Sequence, residues 1–201
     1  MAQYTAREFN FDSFLADEAE QHREAFESLL RDLNAPFRAV LAIWENSIRA
    51  GGKLIVFGNG GSAGNAEHIA AELTIRYAQD RDAIAAIALS AGSSAVTAAA
   101  NDYGFERVFS RQIEALGRPG DVAVGLSTSG ASPNVLRGLR EARSRGLATT
   151  GLIGGKANTM HELCDAAIAV PSTITARIQE MHLLVTHMLC KALEQRLGLV
   201  E

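Results

Sequence analysis

Five short and mainly apolar runs, each five to seven residues long, alternate with stretches of helical periodicity. The runs span residues 54–58, 84–89, 121–127, 148–154 and 166–170. Strands that are apolar on both faces and separated by helices are typical of a parallel sheet that is covered on both sides. The sequence therefore predicts an α/β fold, a three-layer αβα sandwich with a five-stranded parallel sheet.

A helical extension precedes this sheet. Apolar residues recur every three or four positions over 9–50, Asn34-Ala35-Pro36 is expected to divide the segment into two helices, and Gly51-Gly52 to end it. Further helices are predicted at 63–77, 93–100, 105–116, 133–145, 157–163 and 175–197. Because no linker-like composition interrupts the chain, we expect one domain over 1–201, with an αβα core at 51–201 and helices at 1–50 that serve oligomerisation.

Composition excludes several function classes. The chain has 19 Lys and Arg against 23 Asp and Glu, a net charge of −4, which disfavours binding to a nucleic-acid backbone. No stretch approaches the roughly 20 apolar residues of a membrane span. Two cysteines, Cys164 and Cys190, are too few for a disulfide scaffold, and the acidic N-terminus lacks a signal-peptide pattern. We therefore expect a cytoplasmic protein.

A glycine-rich loop follows the first strand, and it reads Gly58-Asn59-Gly60-Gly61-Ser62. Glycines let a backbone approach a ligand closely, and the N-terminus of the next helix offers N–H groups to an anion. The loop is neither a P-loop nor a dinucleotide fingerprint. A tight turn without a ligand and a phosphate-binding loop explain the segment equally well.

Hydroxyl groups cluster after the third strand, in Ser127-Thr128-Ser129 and at Ser132. Ser132 suits an N-cap and Pro133 suits the first helical position. A serine-rich turn that only caps its helix would explain these residues, but four hydroxyls in six positions favour a phosphate cup. Because the cup lacks Lys and Arg, it suits a sugar phosphate held by neutral donors.

Acid/base candidates lie on two helices. His68 and Glu72 are four residues apart and share a face away from the stripe that packs on the sheet. On the last helix, Gln179 and His187 share a face and lie ~12 Å apart along the axis, whereas His182 lies nearer the core stripe and is read as structural. Singly, these residues are explained by helix-surface or core contacts. Together they could supply a carboxylate base, an imidazole acid and metal ligands.

Apolar residues on the same side of the first of these helices, Ala71 and Ile75, indicate that another subunit covers it. We therefore expect the two helix faces to meet across a subunit boundary. After the second strand, Asn101 and Asp102 lie in a polar segment. Asp102 either caps the following helix or, together with Asn101, binds sugar hydroxyls.

These motifs together resemble the sugar isomerase (SIS) domain family and, within it, the phosphoheptose isomerases. The resemblance rests on Gly58 to Ser62, Ala66 to Leu73, Asn101 to Phe105, Ser127 to Gly130, Arg177 to His182, and His187. It implies a flavodoxin-type αβα sandwich in a homotetramer with active sites between subunits. It also implies conversion of D-sedoheptulose 7-phosphate to D-glycero-D-manno-heptose 7-phosphate, the first step toward the ADP- or GDP-activated heptose of bacterial surface glycans such as lipopolysaccharide.

Roles for individual residues also follow from the resemblance. Glu72 and His187 match the acid/base pair of the family. His68, Glu72, Gln179 and His187 match residues that hold Zn²⁺, one ion per subunit. Substrate contacts are implied for Asn59, Gly60, Gly61, Ser62, Glu72, Asn101, Asp102, Ser127, Thr128, Ser129, Ser132 and Gln179.

Two departures point to another branch of the family. Asn65 stands where the isomerases often carry aspartate, and Thr175-Ala176 stands where they can carry an acidic residue. Both resemble a non-catalytic tetramer that binds the replication initiator DnaA, a branch that lacks the acid/base pair. Because this chain has both Glu72 and His187, the enzyme is favoured, and a non-catalytic scaffold is the alternative.

Overall fold

Five parallel strands form one sheet in the order β2-β1-β3-β4-β5. The structure, a computed structural model, describes residues 8–155 and 159–201. The strands are β1 (Leu54–Gly58), β2 (Ala86–Ala88), β3 (Val122–Ser127), β4 (Ala148–Gly154) and β5 (Ala166–Val170). All five predicted strands are present, and the order is that of a flavodoxin-type sheet. The predicted α/β sandwich is therefore confirmed.

Helices cover both faces of the sheet. They are α1 (Phe11–Asp32), α2 (Asn34–Arg49), α3 (Gly61–Thr74), α4 (Ser93–Tyr103), α5 (Val108–Leu116), α6 (Pro133–Ser144), α7 (Thr159–Glu162) and α8 (Thr175–Leu197). One core contains side chains of α1, α2, α3 and α8, and the other contains side chains of α4 to α7. Because successive strand residues point to opposite faces, Leu54 and Val56 enter the first core and Ile55 and Phe57 the second.

Several boundaries differ from the expectation. The first two helices separate at Leu33, because Pro36 falls in the first turn of α2, where its missing N–H costs no helical bond. Helix α3 ends at Thr74 instead of residue 77. Helix α4 extends to Tyr103, and edge strand β2 keeps only the central part of its predicted span. Residues 157 and 158 of the predicted helix 157–163 lie outside the described residues.

The topology brings two loops together at one edge of the sheet. Strands β1 and β3 are neighbours, and Gly58 pairs with Leu126 in register. A Cβ on Gly58 would lie 2.8 Å from the Cβ of Ser62 and 2.9 Å from the carbonyl oxygen of Leu126, so only glycine fits here. The loops that follow β1 and β3 therefore lie side by side at the strand ends, where open α/β sheets bind ligands.

Among the described residues, none of the helices combines the length and the apolar character that crossing a membrane requires.

Candidate active site

The glycine loop (58–62) is joined to the loop after β3 (127–132, the serine loop) by two side-chain amides. The amide nitrogen of Asn59 donates to Asn134 and that of Asn134 donates to Asn59, both over 2.8 Å. Asn134 is 2% exposed, in the first turn of α6, and its side-chain oxygen also accepts from the N–H of Val135. The sequence analysis missed Asn134 as a site residue. The available signal was its place directly after the Ser132-Pro133 start of a helix at a strand end.

The glycine loop is a closed turn. The N–H groups of Ser62 and Ala63 donate to the carbonyls of Asn59 and Gly60. Ser62 is 3% exposed and packs under Gly58. The segment therefore forms a tight turn, and the binding of a ligand by this loop stays a prediction.

The hydroxyls after β3 converge on Ser127. The Oγ of Ser127 lies 3.3 Å from that of Ser129 and 3.1 Å from that of Ser132. Ser132 is the N-cap residue of α6, as predicted, but its side chain contacts Ser127 instead of capping the helix. Ser127 is buried and Ser129 is exposed, so the cluster extends from the sheet to the solvent.

Thr128 fixes the other side of this loop. A Cβ on Gly154 would lie 2.1 Å from the carbonyl oxygen of Thr128, so the backbone after β3 lies directly against the end of β4. The serine loop therefore lies between the ends of β1 and β4, the two strands on either side of β3.

Gln179 lies in the first turns of α8 and contacts the start of α3. A Cβ on Gly61 would lie 2.5 Å from the side-chain nitrogen of Gln179, so the amide packs on a bare backbone. The side-chain nitrogen of Asn65 donates to the carbonyl of Gln179 over 3.2 Å. An aspartate at position 65 has no such donor, which gives this departure from the isomerase pattern a structural role.

Two imidazoles and one carboxylate meet where α3 packs on α8. The Nε2 atoms of His68 and His187 lie 2.8 Å apart, and the Nε2 of His68 lies 3.3 Å from an oxygen of Glu72. One ligand atom from each residue lies within 4.8 Å of the others. The three groups could hold a metal ion, since two imidazoles and a carboxylate form a ligand set of catalytic zinc sites.

The expectation that these helix faces meet across a subunit boundary was wrong. Helices α3 and α8 pack against each other in the same chain, because both bury apolar stripes in the core on one face of the sheet. His68 and Glu72 keep 39% and 19% of their side chains exposed, so the cluster is accessible. The ring of Tyr77 lies against that of His187, with centroids 5.5 Å apart.

Asn101 and Asp102 occupy the last turn of α4, so this polar segment is helical. Both are exposed, and the amide of Asn101 donates to Asp102 over 2.8 Å. Asp102 does not cap the next helix, because Gly104 (φ 84°) ends α4 and starts the short 3₁₀ turn Phe105–Arg107 without a side-chain cap. Asp102 instead lines a groove between α4 and α5.

His182 lies on α8 and is fully buried in the protein core, as its place near the apolar stripe predicted. Burial lowers its pKa to about 4, and the nearby backbone of Ile153 opposes this only in part. The imidazole is therefore neutral at pH 7.

The family model described as the SIS domain matches residues 19–154. The chain belongs to the SIS domain family. A curated SIS-domain relative, the phosphoheptose isomerase of Paramagnetospirillum magneticum, is 50% identical over 184 residues, 92% of this chain and 96% of the relative. Phosphoheptose isomerase 1 of Campylobacter jejuni is 52% identical and covers 74% of this chain and 80% of its own.

Solved structures of phosphoheptose isomerases have the same fold as this chain. The phosphoheptose isomerase GmhA from Neisseria gonorrhoeae superposes with a TM-score of 0.87 at 36% identity, over 92% of this chain and all of that one. A phosphoheptose isomerase from Francisella tularensis gives a TM-score of 0.89 at 29% identity, over 93% of this chain and all of that one. The resemblance drawn from the sequence motifs is therefore confirmed.

Proposed function

We propose that the chain is a phosphoheptose isomerase, which converts D-sedoheptulose 7-phosphate to D-glycero-D-manno-heptose 7-phosphate through an enediol(ate). One observation carries the proposal. A chain whose relatives are named phosphoheptose isomerase brings the carboxylate of Glu72 and a ring nitrogen of His187 within 4.8 Å of each other on an accessible face.

Glu72 is the base and His187 the acid in this proposal. The ketose has a hydroxymethyl group at C1 and a carbonyl at C2. The carboxylate of Glu72 takes a proton from C1 while His187 gives a proton to the oxygen on C2, which produces the enediol. Glu72 then returns its proton to C2, and His187 accepts the proton of the C1 hydroxyl, so the aldose forms and both groups are restored.

The phosphate is assigned to the serine loop. Ser127, Thr128, Ser129 and Ser132 supply neutral donors in a segment without Lys or Arg. Support comes from the convergence of three hydroxyls near Ser127 and from the adjacent N-terminus of α6. A phosphate anchored there would hold C1 and C2 against Glu72 and reduce the entropy that the reaction must lose.

Further substrate contacts are proposed for the glycine loop and for three more side chains. The backbone turn of Asn59, Gly60, Gly61 and Ser62 lies beside the serine loop, and Gln179 packs on Gly61. Contacts from Asn101 and Asp102 to sugar hydroxyls complete the set.

A zinc ion is proposed at His68, Glu72 and His187, with Gln179 as the fourth ligand. The donor set fits, since two imidazole nitrogens and one carboxylate oxygen already face one another. Zn²⁺ bound there would polarise the sugar oxygens and stabilise the negative charge of an enediolate. Each residue would give the ion one ligand atom, so the second oxygen of Glu72 and the other ring nitrogen of His187 would remain for proton transfer.

We also propose a homotetramer in the cytoplasm, with subunits covering the exposed face of α3. Ile75, beside the cluster, is 70% exposed, and the region around α1 exposes Phe9, Phe11, Phe14, Leu15 and Leu30. Large apolar side chains in such numbers are typical of subunit contacts.

The decisive experiment incubates the purified chain with D-sedoheptulose 7-phosphate and identifies the product by NMR. Glu72→Gln keeps the shape of the side chain but removes the base, so turnover should fall at least about 1000-fold, within the range of acid/base contributions. Glu67→Gln, exposed on the same helix, is the matched control and should keep full activity. A wild-type protein without turnover, with or without Zn²⁺, would instead favour the initiator-binding scaffold.

A further inference from the structure

A buried ion pair connects the end of α3 to α8. The Nε of Arg81 donates to an oxygen of Glu194 over 2.7 Å, and the two side chains are 1% and 2% exposed. Glu194 lies on α8, the helix of His187, while Arg81 follows α3, the helix of His68 and Glu72. The pair therefore links the two helices that supply the reacting groups.

Arg81 also completes the last turn of α3. Its Nη1 donates to the carbonyl oxygen of Leu73 over 2.8 Å, and its Nη2 donates to the carbonyl oxygen of Glu72, also over 2.8 Å. The last carbonyls of a helix have no partner within the helix, and a cation at this end is favourable. The backbone of Glu72 is thus held directly by a guanidinium whose own position is fixed by Glu194.

Glu194 fixes the segment beside His187 as well. The same carboxylate oxygen that accepts from Arg81 accepts from the N–H of Tyr77 over 3.3 Å. The ring of Tyr77 lies against the imidazole of His187. One carboxylate therefore orders both the residue that holds Glu72 and the residue that contacts His187.

We propose that Arg81 and Glu194 are positioning residues that set the separation of Glu72 and His187. This inference rests on the proposed function. A buried ion pair is seldom more stabilising than apolar residues of similar size, because both charges lose their hydration. The planar guanidinium of Arg81 and the carboxylate of Glu194 instead bind four backbone groups, which are the carbonyls of Glu72, Leu73 and Asp82 and the N–H of Tyr77. These bonds fix the backbone beside the two reacting side chains, which must be held in a defined geometry.

The test compares the full-length wild type with the double variant Arg81→Met/Glu194→Met. Replacing both partners leaves no unpaired charge, so the fold should persist, while the contacts to Glu72, Leu73 and Tyr77 are lost. We expect kcat to fall about 10- to 100-fold with KM within about threefold, as a small misplacement of reacting groups predicts. Hydrogen exchange of the amides over 70–78 should be faster than in the wild type.

A second variant and a control complete the design. Arg81→Lys keeps the charge pair but loses the planar fork, so its kcat should lie between the other two, and it decides the question if the double variant does not fold. The control is Lys53→Met/Asp121→Asn, which removes a different, partly buried ion pair (Nζ–Oδ2 2.5 Å) at the N-terminal ends of β1 and β3, the edge of the sheet opposite the site. Its kcat and its exchange over 70–78 should match the wild type.

Two results would overturn the inference: wild-type kcat and wild-type exchange over 70–78 in the folded Arg81 variants, or an equal loss of kcat in the control. A wild-type protein that does not isomerise the sugar would reject the proposed function separately. The exchange data would then still decide whether Arg81 and Glu194 order the end of α3.

Discussion

The Nε2 atoms of His68 and His187 lie 2.8 Å apart, although 119 positions separate the two residues along the chain. At this distance only one of the two nitrogens can carry a hydrogen atom. Either one ring therefore donates a hydrogen bond to the other, or both rings bind one metal ion. The oxygen of Glu72, 3.3 Å from the Nε2 of His68, adds a negative charge that favours a cation at this point.

Metal content tests this arrangement directly. Protein purified without chelator is expected to contain one zinc ion per chain, measured by elemental analysis. His68→Ala should lose it, because one of the two imidazole ligands is removed, whereas His22→Ala, on α1, should retain it. A metal-free wild type with full activity would contradict the zinc site.

Gly61 and Gly64 provide a matched pair of substitutions on α3. Gly61→Ala places a Cβ 2.5 Å from the amide of Gln179 and must displace it, so we expect kcat/KM to fall at least about tenfold. Gly64→Ala meets no atom within 4 Å and should stabilise the fold by about 0.5–1 kcal/mol through helix propensity. Steady-state kinetics and urea unfolding check both, and equal activity in the two variants would exclude Gln179 from substrate binding.

Asn134→Ala should separate the two loops at the sheet edge. The amide of Asn59 then loses both of its bonds to Asn134, at a cost in stability of about 1–3 kcal/mol. Because the glycine loop is no longer tied to the serine loop, we expect KM to rise about tenfold, equivalent to about 1.4 kcal/mol of binding. Asn46→Ala, exposed on α2, is the control, and an unchanged KM for Asn134→Ala would show that the pairing serves the fold alone.

Because of His182, we expect the free energy of unfolding to decrease in acid. Its pKa is about 4 in the folded chain and about 6.5 when unfolded, so between these values the unfolded chain binds more protons. The free energy of unfolding therefore falls as the pH drops below about 6.5, by about 3 kcal/mol at pH 4 from this residue. His182→Met should show a shallower loss in urea titrations from pH 7 to 4, while above pH 7 the difference between the two proteins should stay constant. Parallel curves over the whole range would contradict the prediction.

The sheet was predictable because each strand is apolar on both faces and bounded by glycine or polar residues, a pattern that depends only on local sequence. The helix boundaries were less so. The apolar periodicity continues past Thr74 to Tyr77, yet α3 ends at Thr74. Arg81, seven residues further along the chain, donates to the carbonyl oxygens of the last turn of this helix. A contact of this kind cannot be predicted from the spacing of apolar residues.

The candidate site shows the same division. His68 and Glu72 could be paired from their spacing of four, and Ser127, Ser129 and Ser132 from their place at a strand end. The approach of His187 to His68 depends on how two helices pack, and we expected another subunit to supply it. Asn134 was missed because its partner, Asn59, lies 75 positions away.

The reciprocal bonds between Asn59 and Asn134 involve amides, which carry no charge at any physiological pH. The junction of the two loops is consequently indifferent to acidity and to ionic strength, in contrast to the imidazoles and carboxylate on α3 and α8. A change in salt concentration or in pH should therefore leave the spacing between the glycine loop and the serine loop unchanged.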